Sequence, residues 1–278
     1  MIRYADSSMC YRLSEFTSCS DIYACRIACL LESYGTGYNF LNFYIQTDIS
    51  GAVTSAISEY GSDMTAFITD RSDTDELAEF LYARGFSSLL CSKRLFPEFP
   101  FEQGIIMKLA DRKEPSSLKS LTNADITSFP SLEKVWQLLK SCEGKGFSVP
   151  CYEDFLLDMS HKLRHNTALC KAAVIDNRII GTAMTVAMSE SCAVIGAVAA
   201  DKGFRRMGIG SYCMKALCDE LTGRDIYIMR SIGENETFYS SLGFENTGSF
   251  YISNVDARSN QASLSELSSL FNDKEIKP

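Results

Sequence analysis

The stretch V-A-A-D-K-G-F-R-R-M-G-I-G-S, Val198 to Ser211, decides the reading of this chain. Small apolar residues run up to Ala200 and stop at Asp201-Lys202-Gly203, which marks the end of a strand. Helical spacing begins near Gly210 and continues to Leu221, with Gly223 as its C-terminal stop. Between the two lie Arg205, Arg206 and the glycines at 208 and 210. Glycines let backbone N–H groups turn towards one point without side chains in the way. Unpaired N–H groups at a helix N-terminus, with the positive dipole end behind them, hold a phosphate or pyrophosphate. The two arginines add charge at the same mouth. The rival nucleotide patterns, G-x-G-x-x-G and G-x-x-x-x-G-K-[ST], are absent from the sequence.

Working outward, Leu132–Cys142 and Tyr152–Arg164 show helical spacing, and Ala168–Asp176, Ile179–Met188 and Ala193–Ala200 read as strands. Asp176-Asn177-Arg178 supplies a tight turn between the first two strands. Beyond the glycine loop, Ile226–Arg230 reads as a buried strand, Asn235–Leu242 as a short helix and Phe244–Ile252 as a further strand. This order predicts an α/β layered architecture around a mixed sheet. The polar run Asp111–Ser117 sets an expected boundary, giving an N-terminal domain 1–115 and a second domain 116–255. Residues 256–278 form a tail in which Leu264, Leu267 and Leu270 hint at a short helix.

Arg205-Arg206-Met207-Gly208-Ile209-Gly210 resembles the coenzyme A motif R/Q-x-x-G-x-G/A of the GNAT N-acetyltransferase superfamily. The resemblance extends upstream to V-A-A-D-K-G-F-R, with Lys202 where proline is common and Phe204 keeping the aromatic. A second family feature, Y-x-x-x-G-F, follows in F-Y-S-S-L-G-F, Phe238 to Phe244. Together these cover roughly Leu118–Ser253 and imply a mixed, mainly antiparallel sheet flanked by helices. They imply that the amides of Arg206, Met207, Gly208, Ile209, Gly210 and Ser211, with Arg205, hold the pyrophosphate. The edge at Val198, Ala199 and Ala200 then pairs with pantetheine, as an extended ligand adds to a sheet. Tyr239 occupies the position of the tyrosine that protonates the departing thiolate. The family's asparagine, about seven residues before that tyrosine, is Ile232 here; Asn235, four before, either contacts the cofactor or caps its helix. The strands Ala193–Ala200 and Ile226–Arg230 hold no carboxylate for a general base. Glu190, Glu234 and Asp201 lie nearby in sequence as loop charges, and a water suffices for the proton.

The N-terminal half echoes the C-terminal one. Ile49-Ser50-Gly51-Ala52-Val53 matches Ile179-Ile180-Gly181-Thr182-Ala183, and Phe80–Phe86 matches Phe238–Phe244 with Leu81 in the place of Tyr239. Gly51 to Gly85 spans 34 residues against 62 from Gly181 to Gly243, and the 28 fewer are about what a phosphate loop, its helix and a strand occupy. Glu32-Ser33-Tyr34-Gly35-Thr36-Gly37 has glycines but an acid in the arginine's place. A smaller, degenerate GNAT-like α/β domain, lacking the cofactor motif, is therefore expected ahead of the complete one.

Composition narrows the function. The net charge of −8 divides as 10 basic and 16 acidic groups in residues 1–115 against 17 and 19 in 116–278, which argues against a nucleic-acid partner. No apolar run reaches the ~18–20 residues of a membrane span, and Met1–Cys10 has no secretory pattern, so a cytoplasmic protein without a membrane partner is expected. The 11 cysteines contain no C-x-x-C pair; Cys25 and Cys29 share a helix face, as do His161 and His165, and neither pair makes a metal site. The expected activity is acetyl transfer from acetyl-coenzyme A, without a metal, to a primary amine of a small molecule or peptide. The alternative is a coenzyme A sensor or scaffold without turnover; longer acyl chains depend on pocket depth, and acceptor and oligomeric state stay open.

Overall fold

Asp176 and Asn177 both take left-handed φ, 47° and 63°. They make the two-residue turn between β8 (Cys170–Ile175) and β9 (Arg178–Met188). The structure, a computed structural model, describes residues 1–113, 124–144 and 147–255. The other elements are β1 (Ile2–Tyr4), α1 (Cys10–Thr17), α2 (Ile22–Tyr34), β2 (Leu41–Thr47), β3 (Val53–Tyr60), β4 (Asp63–Ile68), α3 (Thr74–Arg84), β5 (Ser88–Cys91) and β6 (Phe101–Leu109). The second half adds β7 (Asp125–Thr127), α4 (Leu132–Ser141), α5 (Tyr152–Arg164), β10 (Cys192–Ala200), α6 (Ile209–Glu220), β11 (Asp225–Ser231), α7 (Glu236–Ser241) and β12 (Phe244–Asn254). The expected boundary at 115/116, the tail from 256 and its Leu264–Leu270 helix lie outside the described residues. Asp21 and Asp73 cap α2 and α3 by accepting from the second and third amides of each helix, which stabilises each by ~1 kcal/mol.

All twelve strands form one sheet in the order β1-β2-β3-β4-β5-β12-β6-β11-β10-β9-β8-β7. Among the described residues only β4–β5 and β10–β11 are parallel. The middle of this order shows an exchange between the halves. β6, from the first half, lies along β11 of the second, and β12, the last strand, lies along β5 of the first. β6 and β12 then pair with each other from Phe244↔Leu109 to Ser253↔Phe101. Gly104 permits this closeness: a Cβ there would stand 2.0 Å from Cζ of Phe250, its cross-strand partner, and 2.7 Å from the carbonyl of Arg230.

The two halves repeat one plan, and the repeat differs from the one expected. α3 joins the parallel pair β4–β5 just as α6 joins β10–β11. The segment Phe80–Phe86 therefore corresponds in topology to the end of α6, not to α7. The first half has not lost a helix and a strand. It lacks instead the glycine loop, the short helix α7, and any irregularity in β4, whose pairing with β3 runs without a shift from Ser55↔Ile68 to Tyr60↔Asp63. Apolar spacing alone did not distinguish α3 from α7, because both end in Gly-Phe.

α2 packs across the junction, its face of Ile22, Cys25 and Cys29 buried with Ala187, Cys192 and Val194 of the second half. Cys25 donates to the carbonyl of Cys192 at 3.3 Å and Cys29 to that of Thr167 at 3.5 Å. His161 stacks on Tyr34 at 4.3 Å and on His165 at 4.3 Å, so the two histidines belong to this contact. On the opposite face α6 buries Cys213, Met214 and Leu217 against Ala193, Ile195 and Ile228. The exchange is locked at Gly243, whose φ is +96° and whose carbonyl accepts from the amide of Ala110 at 3.0 Å. A Cβ on Gly243 would lie 1.6 Å from the carbonyl oxygen of Asp111. Gly243→Ala is accordingly expected to destabilise the whole chain, by ~1–2 kcal/mol from the left-handed backbone and ~1–3 kcal/mol from the forced displacement. Chemical denaturation checks this, and an unchanged midpoint would refute the lock.

Candidate active site

β10 and β11 pair only from Cys192↔Asp225 to Ile195↔Ile228. Beyond that point β11 stays with β6 to Ser231, while β10 bends away. The bend is a bulge. Gly196 faces Met184 and Ala199 faces Thr182, so Ala197 and Val198 together oppose Ala183. Ala197 adopts φ 49°, which a small side chain tolerates at moderate cost. β9 has its own extra residue at Val186, and Gly196 makes room for it, since a Cβ there would lie 2.7 Å from Val186 Cγ1. Among the described residues, the side of β10 facing β11 thus carries no strand over Val198–Ala200.

After β10, Asp201 turns the chain. Its carboxylate accepts from the amide of Gly203 at 2.9 Å and from Arg178 at 2.6 Å. The Gly203 amide and then Arg178 hold its carboxyl below the usual range, so Asp201 is a structural anion and not a base. Arg206 and Gly208 take left-handed φ, 62° and 82°, and Gly208 is the N-cap of α6. The amide of Tyr212 donates to the Gly208 carbonyl at 2.9 Å; those of Ile209, Gly210 and Ser211 precede it and have no acceptor within the helix. Ile209 sits directly over Gly181, where a Cβ would be 2.2 Å from its Cγ2, and so draws the N-terminus of α6 down onto β9.

Tyr239 lies on α7, whose first turn is fixed by Arg230. That buried guanidinium pairs with Glu236 at 2.9 Å and contacts Sδ of Met107 at 3.3 Å. Tyr239 packs between Phe238 and Phe244, and burial pushes its hydroxyl up to about 12. Asn235 stands at the N-cap of α7 with φ 55°, but its side chain makes no capping hydrogen bond.

These residues meet in one cavity of about 530 Å³. Val198, Ala199, Ala200, Arg205, Arg206, Gly208, Ile209, Gly210, Ser211, Asn235 and Tyr239 all line it, joined by the rings of Phe204 and Phe238. Met207 is the exception: it is not among the lining residues and its side chain is exposed. Glu190, Glu234 and Asp201 do not line the cavity. Among the described residues no group of three or more potential ligands could hold a metal ion, and no helix is long and apolar enough to cross a membrane.

A second cavity, about 550 Å³, lies on the other side of the bulge and is bordered by Ala197. Its walls are the connection Phe147–Pro150, Phe155 and Met159 of α5, Met184 and Val186 of β9, and the turn Tyr60–Asp63 of the first half. Three carboxylates line it. Asp158 accepts from Tyr34 at 2.8 Å and Lys162 at 2.8 Å, and Asp154 from the Cys151 thiol at 3.0 Å. Asp63 has no such partner among the described residues, and burial alone pushes its carboxyl up. Sequence reasoning missed Asp63 because it lies far along the chain from the glycine loop, and no local pattern marks it.

Residues 132–244 match the acetyltransferase (GNAT) family. No curated protein sequence matches the chain. Among solved structures, a Drosophila protein superposes with a TM-score of 0.65 at 12% identity, covering 91% of this chain and 98% of its own. A tandem GNAT protein from the clavulanic acid biosynthesis pathway gives 0.57 at 10%, covering 91% and 98%. A GCN5-related N-acetyltransferase from Sphaerobacter thermophilus gives 0.59 at 12%, covering 91% and 94%. At such identities the likeness is one of fold, and it spans both halves.

Proposed function

We propose that this chain, whose residues 132–244 match the GNAT family, moves an acetyl group from acetyl-coenzyme A to a primary amine. The observation that carries the reading is the bulge at Ala197–Val198, with the glycine-loop cavity on one side and the carboxylate-lined cavity on the other. The amides at the start of α6, with Arg205 and Arg206, hold the pyrophosphate of the donor. Val198–Ala200 offers an unpaired edge to the pantetheine amides. The amine attacks the thioester carbonyl from the Ala197 side. An amide of Ala199 or Ala200 meets the oxyanion. The new C–N bond forms as the C–S bond breaks, Tyr239 gives its proton to the leaving sulfur, and Asp63 receives the proton that the nitrogen sheds. Release of coenzyme A in the presence of a panel of amines tests the reading. Tight binding with no amine consumed would make the chain a coenzyme A sensor instead.

Tyr239→Phe keeps the ring and its packing and removes only the donor. Thiolates leave readily, so kcat is expected to fall towards the low end of the ~10²–10⁴ range of general acid catalysis, with binding of acetyl-coenzyme A unchanged. Burial raises the pKa, so the hydroxyl keeps its proton from neutrality until pH nears about 12. The deficit of the variant should therefore be the same at neutral and at mildly alkaline pH. Wild-type turnover by the variant, with chemistry rate-limiting, would reduce Tyr239 to a packing residue.

A further inference from the structure

Arg26 lies mid-way along α2, between β3 and β4 of the first half and α5 and β9 of the second. Its Nε is sealed from solvent without a hydrogen-bond partner. Among the described residues no hydrogen bond or ion pair reaches its guanidinium. Burial pushes its pKa down. Arg26 is half-buried at the wall of a cavity, and a guanidinium partly shielded from water without a protein partner is fitted to serve a ligand. The neighbouring carboxylate of Asp158 favours its charge but makes no hydrogen bond to it, its oxygens accepting from Tyr34 and Lys162. The thiols of Cys25 and Cys29 are turned to the carbonyls of Cys192 and Thr167.

The space beside Arg26 is a cavity of about 190 Å³, bordered also by Ser58, Thr65 and Lys162. It shares Tyr60, Asp63, Asp158 and Val186 with the larger cavity next to the bulge. The cavity at Ala197, where an amine would attack, therefore adjoins the one at Arg26. We propose that Arg26 binds a carboxylate of the acceptor, so that the acceptor is an amine carrying its own carboxylate, in the manner of an amino acid. This rests on the acetyltransferase reading above. The planar guanidinium matches a carboxylate with two parallel hydrogen bonds. A single negative charge suits the place better than a phosphate, because Asp63 and Asp158 border the same space. The apolar remainder of the acceptor meets Phe147, Phe155 and Met159.

The test uses the full chain, acetyl-coenzyme A and matched acceptor pairs: leucine with leucinamide, phenylalanine with phenylalaninamide, and ethanolamine with phosphoethanolamine. The acid-to-amide ratio of kcat/KM is compared between the native chain and Arg26→Met, so that differences in amine basicity cancel. The ratio is expected to fall about 10- to 100-fold in the variant, the worth of a hydrogen bond to a charged group. Arg26→Met should melt close to the native chain, since no hydrogen bond or ion pair among the described residues is lost. Should it fail to fold, Arg26→Lys, which keeps the charge without the planar fork, should lower the ratio several-fold. An unchanged ratio, or a preference for phosphoethanolamine over the amino acids, overturns the proposal. Where no amine is acetylated, calorimetry of phenylalanine with coenzyme A present decides. Binding to the native chain that Arg26→Met loses leaves the carboxylate site standing and rejects acetyl transfer, whereas no binding to the native chain rejects the site.

Discussion

Gly208→Val is expected to lower the affinity for acetyl-coenzyme A about 100-fold or more in calorimetry. Gly208 combines two demands at one residue: a φ of 82° and the N-cap position beneath the amides of Ile209, Gly210 and Ser211. A branched side chain resists left-handed backbone by ~1–2 kcal/mol, and the loop relieves this by turning those amides away from their common point. Each charge-assisted hydrogen bond lost costs a further ~1.5–3 kcal/mol, and every 1.4 kcal/mol is about tenfold in affinity. The side chain would also project from a residue that borders the cavity. Gly210→Ala is the control. Gly210 has no positive φ, and its added Cβ would come no nearer than 3.4 Å to Phe238, so a far smaller loss is expected. Equal affinities for wild type and Gly208→Val would remove the glycine loop from the cofactor site.

The second large effect concerns the exchanged strands. Fragments 1–113 and 124–278, expressed separately, are expected to give no cooperative melting transition. Expressed together they should associate into one complex that melts as a unit. Alone, the first fragment leaves β5 without β12, and β6 without either neighbour. The second loses the strand between β11 and β12. Each would expose long unpaired edges of the kind that aggregate. The shared cluster joining Ile22, Tyr23 and Ile27 with Cys192, Val194 and Tyr227 would be cut in two as well. A cooperative transition from fragment 1–113 alone would show that the exchange is not needed for folding. That fragment, which lacks the glycine loop, is expected to bind no coenzyme A.

Much of the second half was legible because its signals are local. The turn at Asp176-Asn177, the glycines after Ala200 and the spacing Tyr239-x-x-x-Gly243-Phe244 each need only a few neighbouring residues to be understood. α5 runs over Tyr152–Arg164 as expected, and α6 starts one residue earlier than expected, at Ile209. What was illegible depends on residues distant in sequence. Gly104 reads as a strand glycine, and nothing nearby announces that Phe250 will lie over it. Arg230, which fixes α7, looks like any charge at the end of a strand until Glu236 and Met107 surround it. Asp63 and Arg26 gain their meaning only when the first half folds against α5. Gly223 was expected to cap α6, yet the helix ends at Glu220 with Leu221 as its C-cap, and the glycine, φ 88°, serves the turn beyond.

The bulge in β10 also changes which way the strand counts. Before it, Ala193 and Ile195 lie on the α6 side and Val194 on the α2 side. After it, Val198 and Ala200 join the α6 side, while Ala197 and Ala199 lie with α4 and α5. One surplus residue has reversed odd and even. Loss of a single codon at this point would restore the regular alternation found in β4 with Val198 and Ala200 still on the α6 side, and would remove the bend that carries β10 away from β11. Every residue of the glycine loop would survive, yet the strand leading into it would no longer part from its neighbour. In a lineage of such proteins, the difference between a cofactor-bearing half and a purely structural one can thus begin as an insertion of one small residue.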